Sequence, residues 1–545
     1  MLRLVLLLCL ANLVVSAQPE IYQGGIVNAA SFAISGLQNS AIAPGSIFTI
    51  FGRELATINE GSSVQEFPLP KAEGWRGTKV TVQPSGQSVI YAPLLYVSKE
   101  QIVAIMPSSV PTGKTVFLRV ETSRGQSEPA TLTLVQQSFG LFSSSASGAG
   151  PGAIQNFVSA DSYPLNTLIS PARPGQTVVL WGTGLGPIED DDALPAKFGE
   201  ILPRAEVFVG GRRVTTIEYQ GRSPGSAGLD QINVVLPQDI ITGCHVPVVV
   251  KTSGGVISNT VTMAISADGR PCSDPVSFYS EDIDKAQGTS KSVTLGAIKV
   301  KRVRSGDAVT DEGIGWFGTC GLTEMINSRG VFAAPSLGTC TVDQFRGQEY
   351  VPPDGLIPQT VFPNGDALKF TMGGVQRQLM LQSGMYKGQI GGGSLPPLLD
   401  PGTLRIENTY TSLPGQTPFH FNVEMDIPSG VTWTGDLPAS ISRTQDLTIT
   451  WAGGDPNAEY VQIVGYSTLP GGGAGAGFVC SAPVSAGSFT IPALVLGALP
   501  AGAGKLQVGA VALPWKHRQP PPAANLNALY LSYTIAESSS LNWAP

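Results

Sequence analysis

Charge is scarce in this sequence, and histidine is scarcer. Only 13% of the 545 residues are charged, the formal balance is −7, and there are three histidines. Binding phosphates takes clustered Lys and Arg, so nucleic acid is excluded as a partner. The one basic run, Lys299, Lys301, Arg302 and Arg304, is short and fits a solvated strand face. There is no CxxC and no HExxH, and His245, His420 and His517 lie far apart. Neither a zinc site nor a Ser–His–Asp triad has its usual spacing. Helical periodicity is absent apart from one turn near Ser108. Beyond the N-terminus no stretch holds about 18 uninterrupted apolar residues, so no transmembrane segment is expected in the mature chain.

Turn formers are abundant. The chain has 65 Gly and 43 Pro with an ordinary 42% of hydrophobic residues. Gly and Pro punctuate short strands and disfavour helix interiors. The composition therefore points to an all-β protein of several domains. At the start, Arg3 precedes the apolar stretch from Leu4 to Val15, and Val15-Ser16-Ala17 suits a signal-peptidase site. Residues 1–17 are expected to be a cleaved leader, which places the mature chain in the periplasm, at the cell surface or outside the cell. Cys9 leaves with that leader.

The first half repeats itself at a constant offset of 130 residues. Pro44-Gly45 recurs as Pro174-Gly175, Phe51-Gly52 as Trp181-Gly182, and Gln101-Ile102 as Gln231-Ile232. Pro107, Thr112-Gly113 and Thr122-Ser123 recur as Pro237, Thr242-Gly243 and Thr252-Ser253. Each copy carries short β-branched runs separated by turns, the pattern of an immunoglobulin-like sandwich. The expected division is 18–138 and 139–268 for the two copies, 275–430 for a third β-rich domain, and 431–545 for a fourth.

Two stretches carry a family likeness: Gly25-Ile26-Val27-Asn28-Ala29-Ala30-Ser31-Phe32 with Ala43-Pro44-Gly45-Ser46, and Pro171-Ala172-Arg173-Pro174-Gly175 with Trp181-Gly182-Thr183-Gly184-Leu185-Gly186-Pro187. They resemble the Solibacter-type secreted repeat of Acidobacteria, and the likeness covers residues 25–266. It implies tandem IPT/TIG-type immunoglobulin-like modules in a cell-envelope or extracellular setting. It implies no catalytic residue.

Setting Cys9 aside, five of the six cysteines remain. Local pairing suggests Cys244 with Cys272 and Cys320 with Cys340, leaving Cys480 as the odd thiol. Catalytic patterns are literal matches in the wrong context. Gly221-Arg222-Ser223-Pro224-Gly225 satisfies GxSxG, but Pro and Gly follow the Ser where a helix is required. Gly313 to Gly318 satisfies GxGxxG without a βαβ unit. The acidic run Glu189, Asp190, Asp191 and Asp192 offers hard oxygen donors for Ca²⁺, the one cofactor the sequence suggests. A solvated loop is the plainer account of that run. Trp75, Trp316, Trp433 and Trp515 are candidates to stack on sugars, against a plainer role in core packing.

The sequence thus favours a secreted, non-catalytic binding or adhesion scaffold with an extracellular glycan or protein as partner. The rivals are an array of carbohydrate-binding modules, which requires exposed aromatics on one sheet face, and a secreted hydrolase with its site in residues 277–430.

Overall fold

The computed structural model describes residues 18–545 except 289–290, 354, 359, 362–363, 410–419, 436 and 523–525. The leader expected at residues 1–17 lies outside the described residues. The chain is all-β and multi-domain, and its described helices, Ser280–Gln287, Leu322–Asn327 and Ala493–Leu496, are short. None is long and apolar enough to cross a membrane.

The 130-residue echo is a repeat of strand pairing. In the first copy Ile47–Arg53 pairs with Gln101–Ile105, setting Ile47 opposite Ile105 and Phe51 opposite Gln101. In the second, Thr177–Thr183 pairs with Asp230–Val235, setting Thr177 opposite Val235 and Trp181 opposite Gln231. The register is the same because the same turn starts both strands. Gly45 and Gly175 hold φ of +76° and +79°, which favours glycine. Their N–H groups donate to Met106 O and Leu236 O, again 130 residues apart.

Each copy closes two facing sheets over its own core. Strand alternation sends Phe48, Ile50, Val80, Val82, Ile102 and Leu118 inward in the first copy. Val178, Leu180, Val207, Val209, Ile232 and Val248 do the same in the second. The two copies are docked together. Ile105 and Leu69 of the first are buried against Ala193 and Ala227 of the second. Asn28 Nδ2 donates to Ser138 O and Thr183 O, each at 3.1 Å.

Beyond residue 275 most strands join one long sheet, and Val431–Thr434, Leu447–Gly453 and Ser488–Ile491 form a separate three-stranded one. The order of the long sheet runs Thr339–Arg346, Ala474–Pro483, Glu459–Thr468, Gly502–Ala512, Ala528–Ala544, Ser292–Ser305, Ala308–Gly321 and Met385–Gly392, and continues through the 367–427 strands. The final strand is shared. It pairs antiparallel with Gly502–Ala512 and parallel with Ser292–Ser305. The boundary expected near residue 430 is therefore crossed by backbone hydrogen bonds. The two largest cores of this half form around Phe317, Phe370 and Tyr386 and around Trp451, Phe478 and Trp543. A hairpin around Gly373-Gly374 joins Ala367–Met372 to Val375–Gln382.

Cys244 pairs with Cys272 as expected. Cys340 pairs with Cys480, not with Cys320. The reason is register: Cys340 and Cys480 face each other across adjacent strands. Cys320 is the free thiol. It lies buried in a different core with Phe278, Ile283 and Met325, and burial pushes its pKa up to about 12. The basic run also departs from a solvated face. Arg302 is buried and its guanidinium donates to both carboxylate oxygens of Asp311, at 2.7 and 2.8 Å.

Candidate functional site

Alternation along Thr177–Thr183 and Asp230–Val235 leaves Thr177, Val179, Trp181, Gln231 and Asn233 on the sheet face away from the core. Gln155, from Ile154–Asn156, joins the same face, and its strand pairs with Thr177–Thr183. The chain from Phe157 to Leu165 then folds back on itself as a hairpin beside this face. Val158 N donates to Ser162 O and Asn156 N to Pro164 O. Its base is pinned by Asn166, whose Nδ2 donates to Asn156 Oδ1 at 3.0 Å and to Ala264 O at 2.9 Å.

The hairpin carries two exposed rings. Phe157 and Tyr163 are 40% and 42% exposed. Their centroids stand 5.4 Å apart in an edge-on pair. With half-buried Trp181 they border a shallow groove of about 400 Å³. Its polar groups are held in place. Trp181 Nε1 donates to Gln155 Oε1 at 3.0 Å, Gln231 Nε2 to Asn233 Oδ1 at 2.8 Å, and Thr177 Oγ1 to Glu218 Oε2 at 3.2 Å. Glu218 is the one charged side chain among the groove's described lining residues.

The equivalent face of the first copy is occupied. Ile105, the counterpart of Val235, is fully buried where the second copy docks. A Cβ on Gly228 of the second copy would stand 2.7 Å from Ile47, the counterpart of Thr177. One repeated face thus serves assembly in the first copy and stands open in the second. Aromatic faces beside oriented amides suit a pyranose ring, whose C–H face stacks while its hydroxyls bridge donors and acceptors.

The sequence singled out other residues. Asp190 pairs with Lys197 at 3.1 Å and Asp191 with Lys71 at 2.9 Å. Asp192 is buried and accepts from Ser108 N at 2.6 Å and Ser108 Oγ at 2.8 Å. Burial raises the Asp192 pKa despite those bonds. The aspartates of the run thus make contacts within the second copy and to the first, and Glu189, its first residue, is exposed. Among the described residues no group of three or more His, Cys, Asp or Glu is arranged to hold a metal ion.

Ser223 is buried beside the Arg222–Asp230 ion pair, on a turn with no following helix. The glycines from Gly313 to Gly318 lie inside the strand Ala308–Gly321. His245 Nε2 shares a hydrogen bond of 2.9 Å with Ser277 Oγ, both buried at the junction with the second half. Of the four tryptophans put forward, Trp316 is buried and Trp75 and Trp433 pack against cores. Trp515 donates to Phe278 O and stands edge-on to Tyr279. Phe157, Tyr163 and Trp181 were not picked out as a group. Their signal in the sequence is the polar alternation of Gln231 and Asn233, which stand opposite Trp181 and Val179.

No protein-family model matches the sequence, and no curated protein matches it. Chains of known structure that align with it include SGBP-B of the Bacteroides ovatus mixed-linkage glucan utilization locus, in complex with a mixed-linkage heptasaccharide. The identity is 12%, over 91% of this chain and 97% of that one, with a TM-score of 0.13. The FN1–FN3 domains of chicken CNTN1 align at 9% identity over 75% of this chain and 98% of that one, with a TM-score of 0.12. At these TM-scores the likeness carries nothing about ligand or domain arrangement.

Proposed function

We propose that this chain is an exported, non-catalytic binding scaffold whose second sandwich holds a neutral polysaccharide on its open sheet face. The leader-like N-terminus, the likeness of residues 25–266 to a secreted repeat, and two disulfides support export. The observation that carries the binding role is the groove formed by Phe157, Tyr163 and Trp181 with the amides of Gln155, Gln231 and Asn233. A shallow, open groove suits the middle of an extended chain better than a small molecule, which is usually enclosed. The absence of cationic side chains among its described lining residues favours an uncharged glycan.

Electrophoresis through gels containing soluble neutral polysaccharides tests this. Retardation of the wild-type chain by at least one β-linked glucan or mannan, abolished in Trp181→Ala, is the expected result. Equal mobility of the two proteins in every gel overturns the reading.

A further inference from the structure

The two copies differ at one sheet edge. Ala130–Thr133 ends the first copy at the margin of its sheet, with Thr115–Thr122 as its one neighbour. Ala130 stands opposite Leu118 and Thr131 opposite Phe117. In the second copy Val261 stands opposite Val248 and Thr262 opposite Pro247, at the offset of 130 residues from Leu118 and Phe117. Val261–Ile265 is thus the same strand, with Thr262 in the place of Thr131. It is buried throughout, whereas Thr131 and Thr133 are exposed.

A short segment makes the difference. Gly150 and Pro151 pair in parallel with Val261 and Thr262, and Gly152 N donates to Thr262 O at 2.8 Å. Ala264 N, further along, donates to Asn166 Oδ1 at 2.7 Å. The covering segment is an excursion of the opening strand. Ile21 and Leu141 stand opposite Gly52 and Gly182, and Ile26 and Ile154 stand opposite Ile50 and Leu180. Between those pairings the second copy runs through residues 142–153, and the first through residues 22–25 alone. The first copy is too short there to cover its own edge. Among the described residues nothing outside its own sheet bonds the backbone of Thr131 or Thr133. An open edge is a template for another strand unless charge, proline or a bulge blunts it, and none of Ala130, Thr131, Leu132 and Thr133 is charged or proline.

We propose that Ala130–Thr133 accepts an extended segment of a partner polypeptide as an added parallel strand, seated as Gly150–Pro151 is in the second copy. Backbone hydrogen bonds supply the affinity of such an addition, and the side chains beside it supply the selectivity. The segment is uncharged and built of small residues, because the strand that covers the equivalent edge is. Residues 142–153 carry no charge, and neither do residues 22–25 of the first copy. A Cβ on Gly152 would stand 2.8 Å from Val261 Cγ2 and 2.9 Å from Ile154 Cδ1. Ala130 replaces Val261 in the first copy, which leaves room for Ala or Ser at that point, while Ile26, in the place of Ile154, keeps larger side chains out.

Hydrogen exchange of the full mature chain, with and without a capped synthetic peptide of the sequence of residues 147–154, tests this. The peptide is expected to protect the amides of residues 130–133 and to leave those of residues 261–265 unchanged. Thr131→Pro removes an outward N–H and spares the ladder to Thr115–Thr122. It should weaken the peptide about fivefold, the scale of one backbone hydrogen bond. If Thr131→Pro fails to fold, a chain with residues 22–25 replaced by the sequence of residues 142–153 serves instead, since it covers the edge with its own strand and should lose the protection. Trp181→Ala should leave the protection unchanged, which separates it from the glycan reading. No protection of residues 130–133, or equal protection in wild type and the variant that folds, overturns the proposal. A concentration-dependent dimer abolished by Thr131→Pro would assign the edge to a second copy and overturn it as well.

Discussion

Arg222 and Asp230 form an ion pair inside the second sandwich, with their side chains 2% and 0% exposed. Arg222 also donates to Gly186 O and Gly228 O, and Asp230 accepts from Gly184 N and Leu185 N at 2.7 and 2.8 Å. Burial pushes the Asp230 pKa up to about 6, against the pull of Arg222. The pair fixes the Gly184–Gly186 and Gly228 backbone that meets the first copy. Removing one partner strands a buried charge. Asp230→Ala is expected to cost about 3–5 kcal/mol, whereas Arg222→Met with Asp230→Leu costs less. Urea unfolding of the two variants checks the order.

The cysteine framework predicts a peptide map. Non-reducing digestion of the mature chain should link Cys244 to Cys272 and Cys340 to Cys480. Cys320 should resist alkylation until the chain unfolds, because the thiol is buried and the thiolate is the reactive form. Rapid modification of Cys320 in the native protein would contradict the burial.

His245 should make the fold acid-sensitive. Burial, with Arg329 nearby, lowers its pKa from 6.5 to about 3. The unfolded chain then takes up a proton below about pH 6.5 that the folded chain refuses. Stability present above that pH is lost as pH falls towards 3, by about 1.4 kcal/mol per unit. His245→Asn should flatten the slope between pH 6 and 4 by about one proton. An unchanged slope would assign the acid sensitivity to other groups.

The two copies were legible in the sequence because their echo is a matter of register, and one offset reproduces the Phe51–Gln101 pairing as Trp181–Gln231. Two features of the second half were not. The strand Ala528–Ala544 pairs in parallel with Ser292–Ser305, and Cys340 meets Cys480 across a separation of 140 residues. Local patterns carry no trace of such distant partners, so proximity in sequence favoured Cys320 and a boundary at 430. The groove was half legible. Gln231, Asn233 and Trp181 alternate outward along their strands, but the turn that brings Phe157 and Tyr163 beside them depends on Asn166 reaching Ala264.

Asp192 should act as a tie between the copies. Asp192→Ala leaves Ser108 N and Oγ without their acceptor, at an expected cost of about 1–3 kcal/mol. Millimolar Ca²⁺ should leave the wild-type melting midpoint unchanged, since Asp190, Asp191 and Asp192 already engage Lys197, Lys71 and Ser108. A calcium-dependent rise that vanishes in Asp192→Ala would instead make the run a metal loop.

The open face of the second sandwich is the centre of the account, and titration calorimetry with a neutral oligosaccharide, taken from whichever polysaccharide retards the protein most, tests it directly. Wild type should bind, and Trp181→Ala and Tyr163→Ala should each lose at least about 1 kcal/mol of affinity, the scale of truncating an aromatic anchor of a binding surface, in variants that still unfold cooperatively. Undiminished binding in both variants would place the glycan elsewhere and contradict the account.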